Sequence, residues 1–275
     1  QKTAYEMLRS LVGSEMCIRD SEYAGDYRWA LAAALLAHGV VEMDTRIVQR
    51  AVDAWRAVLA SYSRAEQPEE WAKAQLGLGN ALFVGWQFGD ARALEDARAA
   101  FNRALEVFTR ESNPEMWALA QTTLGLVLQE LGKRGDVQAL QDARAAVNRA
   151  LEVFTRENNP KMWALAQTTL GLVLLELGKR GDVQALQDAR AAVNRALEVF
   201  TRESNPEMWA ETQTTLGLVL LEFGKRGDVQ ALQDARAAVN RALEVYTRES
   251  NPEMWAETQR TLGSVLLELG KRGDV

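Results

Sequence analysis

The sequence predicts an all-α solenoid of stacked antiparallel helix pairs, and three observations carry that prediction. Pro68, Pro114, Pro160, Pro206 and Pro252 stand 46 residues apart. The blocks 67–112, 113–158, 159–204 and 205–250 align without gaps, and 251–275 begins another. Inside each block apolar residues recur at three- and four-residue steps, the period of one helix face. Such self-similarity marks a repeat architecture, whose units are too small to be stable alone and bury their apolar faces by stacking.

The elements follow in order. A weaker copy occupies 22–66, with Ala51 and Trp55 in phase with Ala97 and Phe101. In block 113–158, Asn113 is placed as N-cap and Pro114 as first helical residue, where a missing N–H costs nothing. Trp117, Gln121, Leu124 and Leu128 then mark one helix face. Gly132 is expected as the left-handed residue closing this helix, followed by Lys133 and Arg134, which suit its negative end. Asp136 caps a second helix carrying Leu140, Ala143, Val147, Ala150, Leu151 and Phe154. The Ser-Asn-Pro or Asn-Asn-Pro junction ends it. Mid-helix Gly79, Gly125, Gly171 and Gly217 each cost about 1 kcal/mol against alanine, so a partner helix is expected to approach closely there. Blocks 113–158 and 159–204 differ only at Glu115/Lys161, Gln129/Leu175 and Asn158/Ser204.

Residues 1–21 stand apart. Leu11 to Ser21 reads as the translated end of a transposase-based sequencing adapter. Gln1 to Glu6 reads as the flow-cell primer before it, and Met7 to Ser10 as the sample index. The alternative is a natural amphipathic leader. On the adapter reading the segment is non-native, irregular or disordered, and excluded from the fold; the source is assembled environmental DNA and the natural start is missing. Cys17, the single cysteine, lies in that segment, so disulfides, thiolate catalysis and cysteine-bound zinc are not expected from the rest.

The pattern Leu124-Gly125-x-x-Leu128 followed by Ala143-x-x-x-Val147-x-x-Ala150 resembles the tetratricopeptide signature, and Leu78-Gly79, Ala97, Phe101 and Ala104 resemble it more closely still. The block is about 12 residues longer than the family's 34, with the excess shared equally between the two helices, as in the long bacterial variant. Gln121 stands where the family has tryptophan. The resemblance covers nearly all of 22–275 and implies a right-handed superhelix. A HEAT or armadillo solenoid is the alternative, but it leaves the glycine–alanine spacing unexplained. A continuous coiled coil fails, because Gly-Lys-Arg-Gly-Asp and Asn-Pro interrupt every helix.

Chemistry is sparse. The one histidine, His38, sits at a helix end in the degenerate block, so no Ser-His-Asp or Cys-His set can be assembled. Gly77-x-Gly79 lies within a helix and follows no strand, so it fails as a dinucleotide loop. Glu130, Glu176, Glu222 and Glu268 recur once per block and read as a solvated face, not an acid–base pair. Lys133/Arg134, Lys179/Arg180, Lys225/Arg226 and Lys271/Arg272 form a basic stripe, for which helix-end complementarity is a simpler reading than attraction to phosphate or an acidic partner. No enzyme, metal or cofactor is expected. The net charge of −6 lacks the basic excess of a nucleic-acid binder; no apolar run reaches the roughly 18 residues of a membrane span, and a cytoplasmic location is expected.

What remains is surface. In the family the first helix of each repeat lines a concave groove, which the resemblance places at Lys73, Leu76, Asn80 and Phe83; Leu119, Thr122, Leu126 and Gln129; Leu165, Thr168, Leu172 and Leu175; Glu211, Thr214, Leu218 and Leu221; and Glu257, Arg260, Ser264 and Leu267. The implied groove is apolar in the middle and acidic toward the C-terminal end. It would suit an extended or helical peptide with apolar anchors and basic residues. The alternative is that these leucines pack between lengthened helices and leave little groove. The functional expectation is a protein-interaction module or scaffold, of the kind that in bacteria accompanies a signalling ATPase or a caspase-like protease. The rivals are an architectural spacer or self-assembling array, and an enzyme built on the solenoid. Self-association through the uncovered C-terminal helix is also expected.

Overall fold

The opening helices begin at the prolines where the punctuation puts them, but the second helix of block 113–158 stops at Leu151, so Phe154, expected on it, lies in the turn beyond. The computed structural model describes residues 24–90 and 92–273, so residues 1–21 lie outside the described part of the chain. Among the described residues there are eleven helices and no strand. In chain order they are α1 (Ala24–Val41), α2 (Thr45–Ala60), α3 (Pro68–Gln87), α4 (Ala93–Leu105), α5 (Pro114–Lys133), α6 (Val137–Leu151), α7 (Pro160–Lys179), α8 (Val183–Leu197), α9 (Pro206–Lys225), α10 (Val229–Leu243) and α11 (Pro252–Gly270). Odd-numbered helices open a block and even-numbered ones close it. Asp136, Asp182 and Asp228 each accept the N–H of the residue three places on, at 2.9–3.0 Å, and so cap α6, α8 and α10. Asn113, Asn159 and Asn251 do the same for α5, α7 and α11, whereas Asn205 makes no such bond to α9.

The expectation for Gly132 is corrected. It lies inside α5, and the left-handed residue is Gly135, at φ 113°. Gly89, Gly181, Gly227 and Gly273 repeat that conformation. The tight turn therefore falls three residues later than expected, which frees Gly132 for packing: a Cβ there would overlap the Leu140 side chain.

The chain forms two compact units, divided at Val127/Leu128 within α5. In the first, α1 packs on α2, α2 on α3 and α3 on α4. Trp55 meets Trp29 edge-on at 4.8 Å and its ring covers Gly77, while Phe101 covers Gly79. Both glycines of the Gly-x-Gly pair thus serve as floors for aromatic rings. A cavity of about 30 Å³, no larger than a water or so, lies among Val48, Val52, Leu82, Gly85 and Ala93.

In the second unit α7 pairs with α8 and α9 with α10, α6 packs on α7, and α10 packs on α11. The core runs through Leu170, Leu174, Leu186, Val193, Leu216, Val219, Leu232 and Val265. A methyl on Gly171 or Gly217 would overlap Val193 or Val239, the close approach expected of these mid-helix glycines. Opening helices of successive blocks also touch, α7 with α9 and α9 with α11. Thr168 and Thr212 lie 3.3 Å apart, oxygen to oxygen, and Thr214 and Thr258 3.4 Å apart. Each buried leucine stabilises by roughly 1.5–3 kcal/mol, against about 1 kcal/mol for a cap, so burial between helices dominates the stability of the stack.

Candidate interaction surface

The basic stripe does two jobs, and Arg180 and Arg226 share in both, since each also lies 3.8–3.9 Å from the glutamate four residues earlier. Lys133, Lys179, Lys225 and Lys271 each pair with the glutamate three residues earlier, at 2.5–3.2 Å. The arginines reach across to the preceding block. Arg180 donates to the carbonyl of Gly132 at 2.5 Å, Arg226 to that of Gly178, and Arg272 to that of Gly224 at 2.6 Å. Those carbonyls belong to the last turn of an opening helix, where each already accepts the N–H of the turn glycine three residues on and the helix dipole favours a cation. Helix-end complementarity therefore holds for these arginines, but the end served belongs to the neighbour. Glu176 and Glu222 are correspondingly buried and ion-paired, which corrects the expectation of a freely solvated face. Lys271 hydrogen-bonds Glu268 and holds its carboxyl below the usual glutamate range. A second rung joins blocks at the other edge: Arg156–Glu198 at 2.5 Å and Arg202–Glu244 at 2.6 Å, with Arg64–Glu106 at 2.6 Å in the first unit.

The expected groove positions divide into two columns. Leu76, Thr122, Gln129, Thr168, Leu175, Thr214 and Leu221 are buried; in the second unit Leu175 and Leu221 belong to the core. Lys73, Phe83, Leu119, Leu126, Leu165, Leu172, Glu211 and Leu218 keep part of their surface, and Asn80 is exposed. In α11 all four positions, Glu257, Arg260, Ser264 and Leu267, are exposed. Partial exposure thus falls at seven-residue spacing: Leu165 and Leu172 on α7, Glu211 and Leu218 on α9. The burial of the alternate positions has one cause. In lengthened helices that touch their counterparts one block on, one stripe of each helix goes into the contact and only its shoulder stays free.

Electrostatics sharpen at α9 and α11. Burial, and then repulsion from Glu257, push the Glu211 carboxyl above the ordinary glutamate value. Tyr246, at the place held by Phe154 and Phe200 in earlier blocks, donates its hydroxyl to the carbonyl of Glu207 at 2.9 Å. Burial, with Glu211, Glu207 and Glu257 nearby, raises its phenol strongly. The acidic end foreseen in the sequence is therefore partly desolvated, and the tyrosine beside it was visible in the sequence only as a Phe-to-Tyr change. In the first unit, Phe83 stacks on Trp86 with ring centres 5.8 Å apart.

Among the described residues no group of three or more His, Cys, Asp and Glu is arranged to hold a metal, and no helix is long and apolar enough to cross a membrane. No protein-family model matches the sequence, and neither does any curated protein. Among solved structures, the crystal structure of BtubC (BKLC) from P. vanneervenii matches over 89% of this chain and 91% of its own, with TM-score 0.62 and 19% identity. A circular tandem repeat protein with novel repeat topology and enhanced subunit contact surfaces matches over 98% of this chain and 70% of its own, with TM-score 0.37 and 19% identity. At these identities likeness speaks to fold alone, and the fold it supports through the first of them is an all-α helical repeat.

Proposed function

We propose that this chain is a protein-interaction module of the tetratricopeptide type, in a long 46-residue form, that holds a peptide or protein segment along the free shoulder of its opening helices. The observation that carries this reading is where the blocks differ. The closing helices α6, α8 and α10 share one sequence from first residue to last. The opening helices change, and Leu165 becomes Glu211, while Leu218 becomes Ser264. These two changes fall on the partly exposed column, whereas Gln129 to Leu175 and Ala166 to Thr212 fall on buried positions. A shoulder with Leu165, Leu172 and Leu218 followed by Glu211 and Glu257 suits a segment with apolar anchors and a basic end. The reaction chemistry of a larger signalling or regulatory protein would then lie elsewhere in that protein.

The test uses the full chain as bait for a displayed library of random 15-residue peptides. Selected peptides should be rich in leucine or isoleucine with lysine or arginine toward one end. They should lose affinity with Leu172→Ala plus Leu218→Ala, and again with Glu257→Lys, the second loss shrinking at high salt. Binders indifferent to both sets, with helicity intact, overturn the reading. Leu175→Ala is unsuited to this test, since that side chain is 1% exposed and its loss reports on folding.

A spacer or self-assembling array is the second reading. It is favoured by the identical sequences of α6, α8 and α10. Light scattering across a concentration series separates the two, because assembly makes the apparent mass rise with concentration.

A further inference from the structure

The fastenings that seat block 205–250 on block 159–204 are duplicated one block earlier. α9 packs on α8, and α8 repeats the sequence of α6 from first residue to last. Leu186, Val193 and Ala196, buried on α8, recur as Leu140, Val147 and Ala150, buried on α6. Arg226 donates to the carbonyl of Gly178, and block 113–158 carries the same acceptor at Gly132, which Arg180 uses. Glu244 pairs with Arg202 at 2.6 Å, as Glu198 does with Arg156 at 2.5 Å. Thr212 stands 3.3 Å from Thr168, whose counterpart on α5 is Thr122. The opening helices α5 and α7 differ only at Glu115/Lys161, both exposed, and Gln129/Leu175, both buried. Even that buried change marks no register, because Glu130 and Lys133 of the same helix satisfy the Gln129 amide.

We infer that the chain has a second, slipped register, in which α9 seats on α6 instead of α8 and block 159–204 is left out as a loop. In that register Arg226 reaches the carbonyl of Gly132 and Glu244 reaches Arg156, so block 205–250 keeps its fastenings. Stacking is a nearest-neighbour property and folding can start at any block. A junction therefore forms without reference to how many blocks lie between its halves. The entropy lost on closing a loop grows only slowly with its length, so a loop of one block is a weak barrier to the skip. The full register buries one block more and prevails at equilibrium. The slipped register belongs to the refolding chain, and it persists because correcting it requires a complete junction to come apart. The inference stands independently of what the shoulder holds.

The experiment uses the lysines as register marks. Lys133, Lys179 and Lys225 end successive opening helices, and Lys161 has no lysine counterpart in the other blocks. The 275-residue chain is diluted from urea into buffer and given short pulses of a lysine-specific protease at increasing delays, and the products are identified by mass. The expected result is a fraction of chains cut after Lys161 and Lys179 but intact at Lys133 and Lys225, a fraction that decays with delay as the slip is corrected. The double variant Arg202→Glu, Glu244→Arg keeps the native pair with its signs exchanged, and in the slipped register it sets Arg156 against a like charge. It should lower the early fraction about twofold to fivefold, as the loss of a surface ion pair allows. No such fraction at any delay, cuts spread evenly over the lysines, a fraction that does not decay, or one that the double variant leaves unchanged overturns the inference.

Discussion

At the residue scale, two kinds of helical glycine behave oppositely, and the difference is a matter of what lies opposite. Gly85 has only Val48 Cγ1 near the position of a Cβ, at 3.8 Å, and it borders the small cavity of the first unit. Gly85→Ala should therefore gain most of the alanine helix preference, about 1 kcal/mol, and raise the thermal midpoint. Gly217→Ala should do the reverse. A methyl there overlaps Val239, and overpacking of this kind costs roughly 1–3 kcal/mol, to be read from urea unfolding. Glu211 gives a pH test. Its folded pKa is raised above the reference 4.5 by burial and by Glu257, so the folded state holds the proton more tightly than the unfolded one. Stability then falls as pH rises from that reference value through the folded pKa. Glu211→Gln should stabilise the protein at neutral pH, and the gain should shrink as pH falls toward 4.5. A gain independent of pH would show that the carboxylate is not desolvated.

At the scale of elements, the informative feature is how one block is fastened to the next. Arg226 bonds the final turn of α7 at the carbonyl of Gly178, while Lys225 stays within its own helix, on Glu222. Arg226→Ala should therefore expose the end of α7 and cost about 1–2 kcal/mol, the range for a partly buried cation at a helix C-terminus. Lys225→Ala should cost at most about 1 kcal/mol, as surface pairs do. Exchange of amides in the last turn of α7 distinguishes the two variants, because only the arginine variant should speed it. The same turns contain Asp182 and Asp228, each occupied as a cap. The polar residues of these loops are thus largely committed to the fold, which leaves the shoulder of the opening helices as the surface with room for another molecule.

On the scale of the whole molecule, stability should behave as a sum over blocks and their junctions rather than as one cooperative core. Blocks 113–158 and 159–204 are nearly the same sequence, so deleting 159–204 rejoins Asn158 to Ser204's successor with the register unbroken. The shortened chain should stay fully helical per residue. Its urea m value should fall with the surface removed, and its midpoint should drop only modestly. Wholesale unfolding by circular dichroism would show that long-range order, not nearest-neighbour stacking, holds the chain.

The sequence by itself determined the helices and their order. A strict period, proline at each first helical position, aspartate caps and a three-and-four apolar rhythm are local signals, and local physics decides helix boundaries. It also showed which glycines needed a close partner, since a mid-helix glycine has no local benefit. What only the tertiary structure decided is which polar groups were spoken for. Arg180 and Arg226 look alike in sequence to free basic residues, yet each is tied to a carbonyl 48 residues earlier. Thr168 and Leu175 look like groove residues, yet a helix one block away covers their side of α7, and that distance in sequence carries no local signature. Gly132 was misplaced for the same reason: its role is set by Leu140 pressing on it across the turn, whereas the turn itself is set by Gly135. Whether a side chain is available to a partner depends on what another part of the chain has already covered, and that is a property of packing.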